Sequence, residues 1–298
     1  MRAGEQLSAD KHRFSHIAIA TNAGFWRYGG MVRVLASALA ALPLLTLALP
    51  AHAQDKDDGD QAPRRYRVAL GPQFTPSYPG EDKLRLSPLV DLAITRGDKP
   101  FVFEAADESF EVPMLDDSGF QIGGVANFQG ARRREVTRIA VDEVGTTVEL
   151  GGYMQYWLAK PLRVRAEVRQ GVNGHGGLIS NAGFDLVARK GDKWLFAIGP
   201  RITVTDNKYR EAYFEVSPTV AARTGLPVFR ADGSWVQAYG ANATATFQLT
   251  RHWGIYAYAK YDRLTGDGSA SPITRAIGSP NQISGGAALS FTFGKGVR

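Results

Sequence analysis

NQISGGAALSFTFGKGVR, Asn281–Arg298, is the stretch that decides the fold. Within it Ile283, Gly285, Ala287, Leu289, Phe291 and Phe293 alternate without a break against Ser284, Gly286, Ala288, Ser290 and Thr292. Side chains of a strand point to opposite faces in turn, so this is a strand with one apolar face and one small, uncharged face. A soluble sandwich uses such strands, and so does a barrel standing in a lipid bilayer.

The rest of the chain repeats the pattern. Tyr66, Val68, Leu70 and Phe74 form one apolar row, and Leu84, Leu86, Val90, Leu92 and Ile94 form the next. A short piece at Phe101–Phe103 follows, then Phe120–Phe128, Val148–Leu158, Leu162–Val168, Phe184–Leu186, Trp194–Val204 and Phe214–Val220. Three last runs, Val236–Leu249, Trp253–Leu264 and Gln282–Phe293, complete about twelve strands, with ten possible. Helical periodicity is almost absent, and Gly, Asp, Asn and Pro punctuate the runs.

Strand length and aromatic placement separate barrel from sandwich. Sandwich strands usually span five or six residues, whereas a tilted strand needs about nine to eleven to cross a bilayer. Most of these runs are long. Aromatics recur near their ends, at Tyr66, Phe74, Phe120, Phe128, Tyr156, Trp194, Trp235, Phe247, Trp253, Tyr261 and Phe293, where interfacial girdles sit. The expectation is an all-β, transmembrane antiparallel β-barrel whose ring of hydrogen bonds leaves no edge exposed to lipid.

The opposite set of side chains then faces the lumen. It carries both signs: Arg65, Arg67, Arg85, Arg163, Arg165, Arg169, Arg189, Arg201 and Lys260 against Asp91, Glu149, Glu167, Asp185, Glu211, Glu215 and Asp262. The run RVRAEVR, Arg163–Arg169, could filter anions. A salt-bridged interior that narrows a small barrel is the simpler reading and the preferred one.

The N-terminal segment supplies the compartment. MVRVLASALAALPLLTLALPAHA, Met31–Ala53, has a basic start, an apolar run too short for a membrane anchor and a small-residue site, so it reads as a signal peptide cleaved after Ala53. Residues 1–30 read as an over-extended start, residues 54–63 as a polar lead-in, and 64–298 as the barrel. Removal of the leader lowers the formal net charge from +6 to +3. That balance, with no basic stripe among aromatics, argues against nucleic acid.

Candidates for chemistry are few. The 298-residue chain has no cysteine, which excludes disulfides and thiolate metal sites. Beyond the leader there are two histidines, His175 in GVNGHGGLISN and His252 beside Trp253. A Ser180/His175/Asn181 hydrolase site is weighed and set aside, because a histidine among turn glycines is usually a solvated turn residue. The carboxylates Asp55, Asp57, Asp58 and Asp60 read as a solvated linker, so no metal and no cofactor is expected.

Two loops carry a family signal. GPQFTPSYPGED, Gly71–Asp82, contains Pro76, Tyr78, Pro79 and Gly80, and RLTGDGSASPI, Arg263–Ile273, contains Leu264, Gly266, Asp267, Ser271 and Pro272. With the intermediate Tyr213, Phe214, Val216 and Ser217-Pro218, in this order, the sequence resembles the MipA/OmpV family of MltA-interacting outer-membrane proteins. The resemblance implies an outer-membrane barrel that scaffolds a lytic transglycosylase and a peptidoglycan synthase without being an enzyme. A narrow channel and a lipid-modifying hydrolase are the alternatives. The tail departs from the common pattern, since Gly294–Arg298 follow the terminal aromatic Phe293.

Overall fold

A computed structural model describes residues 62–297. The expected signal peptide, the residues before it and most of the expected lead-in lie outside the described residues. Eleven strands form one antiparallel sheet: β1 Arg64–Thr75, β2 Arg85–Arg96, β3 Phe110–Asp117, β4 Phe120–Gln129, β5 Thr147–Ala159, β6 Leu162–Gly171, β7 Leu178–Lys190, β8 Trp194–Thr205, β9 Val236–Gln248, β10 Trp253–Leu264 and β11 Asn281–Phe293. The order is β2-β1-β11-β10-β9-β8-β7-β6-β5-β4-β3, so nearly every strand pairs with its neighbours in sequence and β1 closes on β11. Among the described residues no helix is long and apolar enough to cross a membrane.

The sheet is apolar outside and polar inside. In β11, Ile283, Leu289, Phe291 and Phe293 are exposed, while Ala288, Ser290 and Thr292 are buried. The small inner face of β11 permits close approach: a Cβ on Gly286 would sit 2.7 Å from that of Gln73, and one on Gly71 only 2.0 Å from the Ala287 carbonyl oxygen. Leu70, Leu86, Leu92, Ile122, Leu186 and Ile198 continue the outer band around the sheet.

Register sorts the aromatics into two belts. Tyr66 pairs with Phe293, Trp253 with Phe291, Trp194 with Phe247 and Phe120 with Tyr156, all at one end. Phe74, Phe128, Trp235 and Tyr261 lie toward the other end and are exposed. The first end also holds the start of β1, the end of β11 and the tight turns after β3, β5, β7 and β9. Bacterial barrels keep short turns in the periplasm and long loops outside, which assigns the two ends. The 265–280 loop is extracellular, as the expected strand list with periplasmic termini has it, but that list also puts the connections near Ala159 and Gly191 outside, and they are periplasmic because β3, absent from the list, shifts the parity of the strands after it.

Two expected elements differ, and one strand is unexpected. Phe101–Phe103 forms no strand. Phe214–Val220 is helical: α2, Asn207–Phe214, is capped by Asp206, which accepts from the Tyr209 N–H at 2.9 Å, and α3, Pro218–Thr224, begins at Ser217-Pro218. A Ser N-cap followed by Pro at the first helical position starts a helix, and this overrides the apparent alternation. The unexpected strand is β3, FEVPMLDD, whose Pro113 and register shift between Pro113 and Leu115 break the period of two. A single-turn helix α1, Arg134–Thr137, lies in the β4–β5 loop, and α4, Gly266–Ala270, and α5, Pro272–Ile277, lie in the β10–β11 loop.

Candidate functional site

Strand β6 sets the geometry of the lumen. Its alternation turns Arg163, Arg165, Glu167 and Arg169 to the inside, where all four are buried. Arg163 reaches Asp185 at 2.7 Å and donates to the Gln155 Oε1 at 3.0 Å. Arg165 lies 2.7 Å from Glu111 and 3.2 Å from Glu167. Arg169 lies 2.8 Å from Glu149 and pairs with Glu167. Arg201 meets Asp185 at 2.6 Å, and Lys260 meets Asp262 at 2.9 Å. Nearer the periplasmic end Arg67 pairs with Asp91, and Arg65 and Arg189 share Asp192. Ions removed from water are costly unless paired and hydrogen-bonded, and this net pairs each of them across the walls, leaving the Nε of Arg65, Arg67 and Arg165 and the Oδ1 of Asp262 buried without a hydrogen bond.

The lumen holds a segment that sequence reasoning missed. After β2 the chain enters the interior as Lys99–Ser109 rather than crossing in the wall. Phe101 lies under the guanidinium groups of Arg65 and Arg67, and Arg163 lies 4.4 Å over the Phe103 ring. Asp107 accepts from Arg201 at 3.0 Å and from Asn242 at 2.8 Å, and Lys260 stands 3.6 Å away. Glu108 pairs with Arg163, and Ser109 donates to Glu167 at 2.9 Å. The signal in the sequence is the pair of apolar positions Phe101 and Phe103 followed by EAADE, a run too acidic for a lipid-facing strand.

Two expected lumen charges lie elsewhere. Glu211 is exposed on α2 and Glu215 is its C-cap, because the helix replaces the expected strand. Arg85 sits at the outer end, 3.4 Å from Glu81.

The family motifs meet in a cap over the extracellular end. Tyr78 packs with Tyr209, Tyr213, Phe214 and Leu264 in one buried cluster. Pro76 and Pro79 flank Tyr78 in the β1–β2 loop, and Gly80 turns at φ +93°, where a side chain would be strained. Its N–H donates to Gln282 and its carbonyl accepts from the Ser279 N–H, tying that loop to the last one. Gly266 likewise has φ +49°, and Asp267 accepts from Gly233 at 2.9 Å and pairs with Arg210 at 3.0 Å. Ser271 caps α5 ahead of Pro272 and donates to the Phe214 carbonyl at 2.7 Å. Arg132, fully buried, donates to the carbonyl oxygens of Ala212, Tyr213 and Asp142. Burial lowers its pKa and raises those of Tyr209 and Tyr213.

His175 lies under this cap, at the top of the lumen. Its Nδ1 accepts from the Gly177 N–H at 3.0 Å, so the proton on Nε2 is donated to Glu149, also at 3.0 Å. Both ring nitrogens are engaged. Ser180 donates to the Glu167 carbonyl and Asn181 accepts from Arg169, so the Ser/His/Asn trio is not assembled. His252 is bound through Nδ1 to the Thr292 carbonyl and stacks on Phe291 at the periplasmic belt. Among the described residues no group of three or more His, Asp or Glu is placed to hold a metal.

Solved structures with a related outline include an outer membrane channel from Pseudomonas putida F1, 10% identical, covering 81% of this chain and 100% of that one at a TM-score of 0.38. The outer membrane protein OprG from Pseudomonas aeruginosa is 10% identical over 78% of this chain and 98% of its own, at 0.24. Ail, the attachment invasion locus protein of Yersinia pestis, is 8% identical over 78% and 99%, at 0.21. No curated protein matches the chain. The family model described as MltA-interacting protein MipA matches residues 68–293, and the chain, a β-barrel of the outer membrane, belongs to that family.

Proposed function

We propose that this barrel is a non-enzymatic scaffold that holds peptidoglycan-remodelling enzymes at the inner face of the outer membrane, a lytic transglycosylase and a peptidoglycan synthase being the expected pair. The observation that carries the reading is the periplasmic rim. Its exposed charges are Arg64, Lys99, Lys160, Lys190, Lys193, Arg251 and Lys295 against Asp98, Asp116 and Asp117. A rim with this excess of positive charge steers and orients a partner with an acidic face. The family name, which points to a protein partner, supports the same reading. The cap motifs face away from the periplasm, and on this reading their task is to fold the outer loops.

The test is site-specific crosslinking in intact cells. A photoreactive residue placed at Ser118 or Lys160, in periplasmic turns, is expected to capture a lytic transglycosylase, and one at Arg133 in the cap is expected not to. Reversing Lys160, Lys193 and Arg251 to Glu together should reduce that capture severalfold. Recovery of no cell-wall enzyme from either periplasmic site would overturn the proposal.

A further inference from the structure

The sheet has two free edges. Ten antiparallel pairings separate β2 from β3 in the sheet order, so these edge strands run in the same direction, and no ladder joins them. An open edge in hydrocarbon leaves backbone groups that nothing can satisfy, at several kcal/mol for each group. One strand, antiparallel to both edges, fills such a gap and restores the even count of bacterial barrels.

The chain between these edges is already folded as that strand's two turns. At its start the Lys99 N–H donates to the Arg96 carbonyl at 3.3 Å, with Gly97 at φ +58°, which makes Gly97-Asp98 a two-residue hairpin loop. At its end the Glu108 N–H donates to the Ala105 carbonyl at 3.1 Å, which makes Ala106-Asp107 a second. Seven residues, Lys99–Ala105, lie between, close to the eight of β3.

The two turns fix the register such a strand would take. Pairing Arg96 with Lys99 sets Phe101 beside Ile94, Phe103 beside Leu92 and Ala105 beside Val90, all on the lipid side of β2. Pairing Ala105 with Glu108 sets Phe103 beside Phe110 and Phe101 beside Val112, and both of these are exposed on the lipid side of β3. Glu104 then falls beside Asp91 and Ser109, and Val102 beside Glu111, on the lumen side. Both edges assign every residue of the segment to the same face.

We propose that Lys99–Ala105 is a gate with two seats: a plug in the lumen, as in this structure, and a twelfth strand in the β2–β3 seam. Moving to the wall carries Asp107 and Glu108 away from Arg163, Arg201 and Lys260. The groups left behind, Arg163, Arg165, Arg169, Arg201 and Lys260 against Glu111, Glu149, Glu167, Asp185 and Asp262, stay balanced in charge, so they pair along the walls and leave the axis open. The same movement closes the wall and opens the pore. The gate does not depend on the scaffold reading, since conduction and enzyme capture are measured separately.

The chain has no native cysteine, so engineered pairs report cleanly. Asp107→Cys with Asn242→Cys joins residues now in contact and locks the plug. Ala93→Cys with Val102→Cys, or Leu92→Cys with Phe103→Cys, joins residues that face each other only in the wall, since Leu92 is now exposed outside and Phe103 is buried inside against Val187 and Leu195. In barrels shown to be assembled by heat-modifiable electrophoretic mobility, the lumen pair and at least one wall pair are expected to crosslink. In planar bilayers the wall-locked form is expected to conduct about tenfold or more above the plug-locked form. Assembled barrels in which the lumen pair crosslinks and neither wall pair does would overturn the proposal. Equal conductance of the two locked forms would do the same.

Discussion

At the scale of the residue, the cap turns on polar atoms buried with a specific partner. Tyr78 is the clearest case. Burial first, and then the nearby Glu81 carboxylate, push its phenol from 10.0 up to about 12. The folded cap therefore holds this proton after the unfolded chain has released its own. Its contribution to stability is intact below pH 10 and falls as the pH rises from 10 toward about 12. Absorbance at 295 nm should show one or more tyrosines ionising late, and the cap should become protease-sensitive over the same interval. Tyr78→Phe should weaken that pH dependence. A phenol titration with every tyrosine near 10 would contradict the packing.

At the scale of the element, strands were legible in the sequence where one face meets lipid and the other the lumen, as in β1, β6 and β11. That boundary writes itself into the sequence with a period of two. It failed at β3, where Pro113 and the adjacent bulge shift the phase, and at Phe214–Val220, where Ser217-Pro218 starts a helix instead. The inner charges of β6 followed from alternation alone, whereas Asp107 and Glu108 did not, because only tertiary structure brings their segment inside. The Ser-Pro motifs were visible as family marks, and their physical meaning is helix initiation. Ser217 and Ser271 both cap, but only Ser271 also donates to a buried carbonyl, that of Phe214. Loss of a cap costs about 1 kcal/mol, and stranding a buried acceptor adds about 1–3. Ser271→Ala should therefore speed amide exchange in the cap more than Ser217→Ala does, and equal effects would remove Ser271 from its role as a tie between loops.

At the scale of the whole molecule, the protein is inverted with respect to a soluble domain. Arg163 and Glu149 have no exposure while Leu86 and Ile283 are about 64% and 58% exposed. A lipid solvent makes this arrangement stable, because apolar side chains lose nothing by facing acyl chains and the interior ions satisfy one another. The penalty for a charge on the outer face then depends on depth. Ile198, 57% exposed, lies mid-strand in β8, and Trp235, 69% exposed, lies beyond the extracellular end of that strand. Arginine at the midplane of a barrel costs about 2–4 kcal/mol, falling to about 0–1 at the interface. Ile198→Arg should lower unfolding stability in lipid vesicles by the larger amount and Trp235→Arg by the smaller, as read from urea titrations followed by tryptophan emission, with Trp157, Trp194 and Trp253 reporting in the second variant. Equal penalties at the two positions would mean that the band around Ile198 does not face lipid, and the assignment of outside and inside would have to be reversed for the whole sheet.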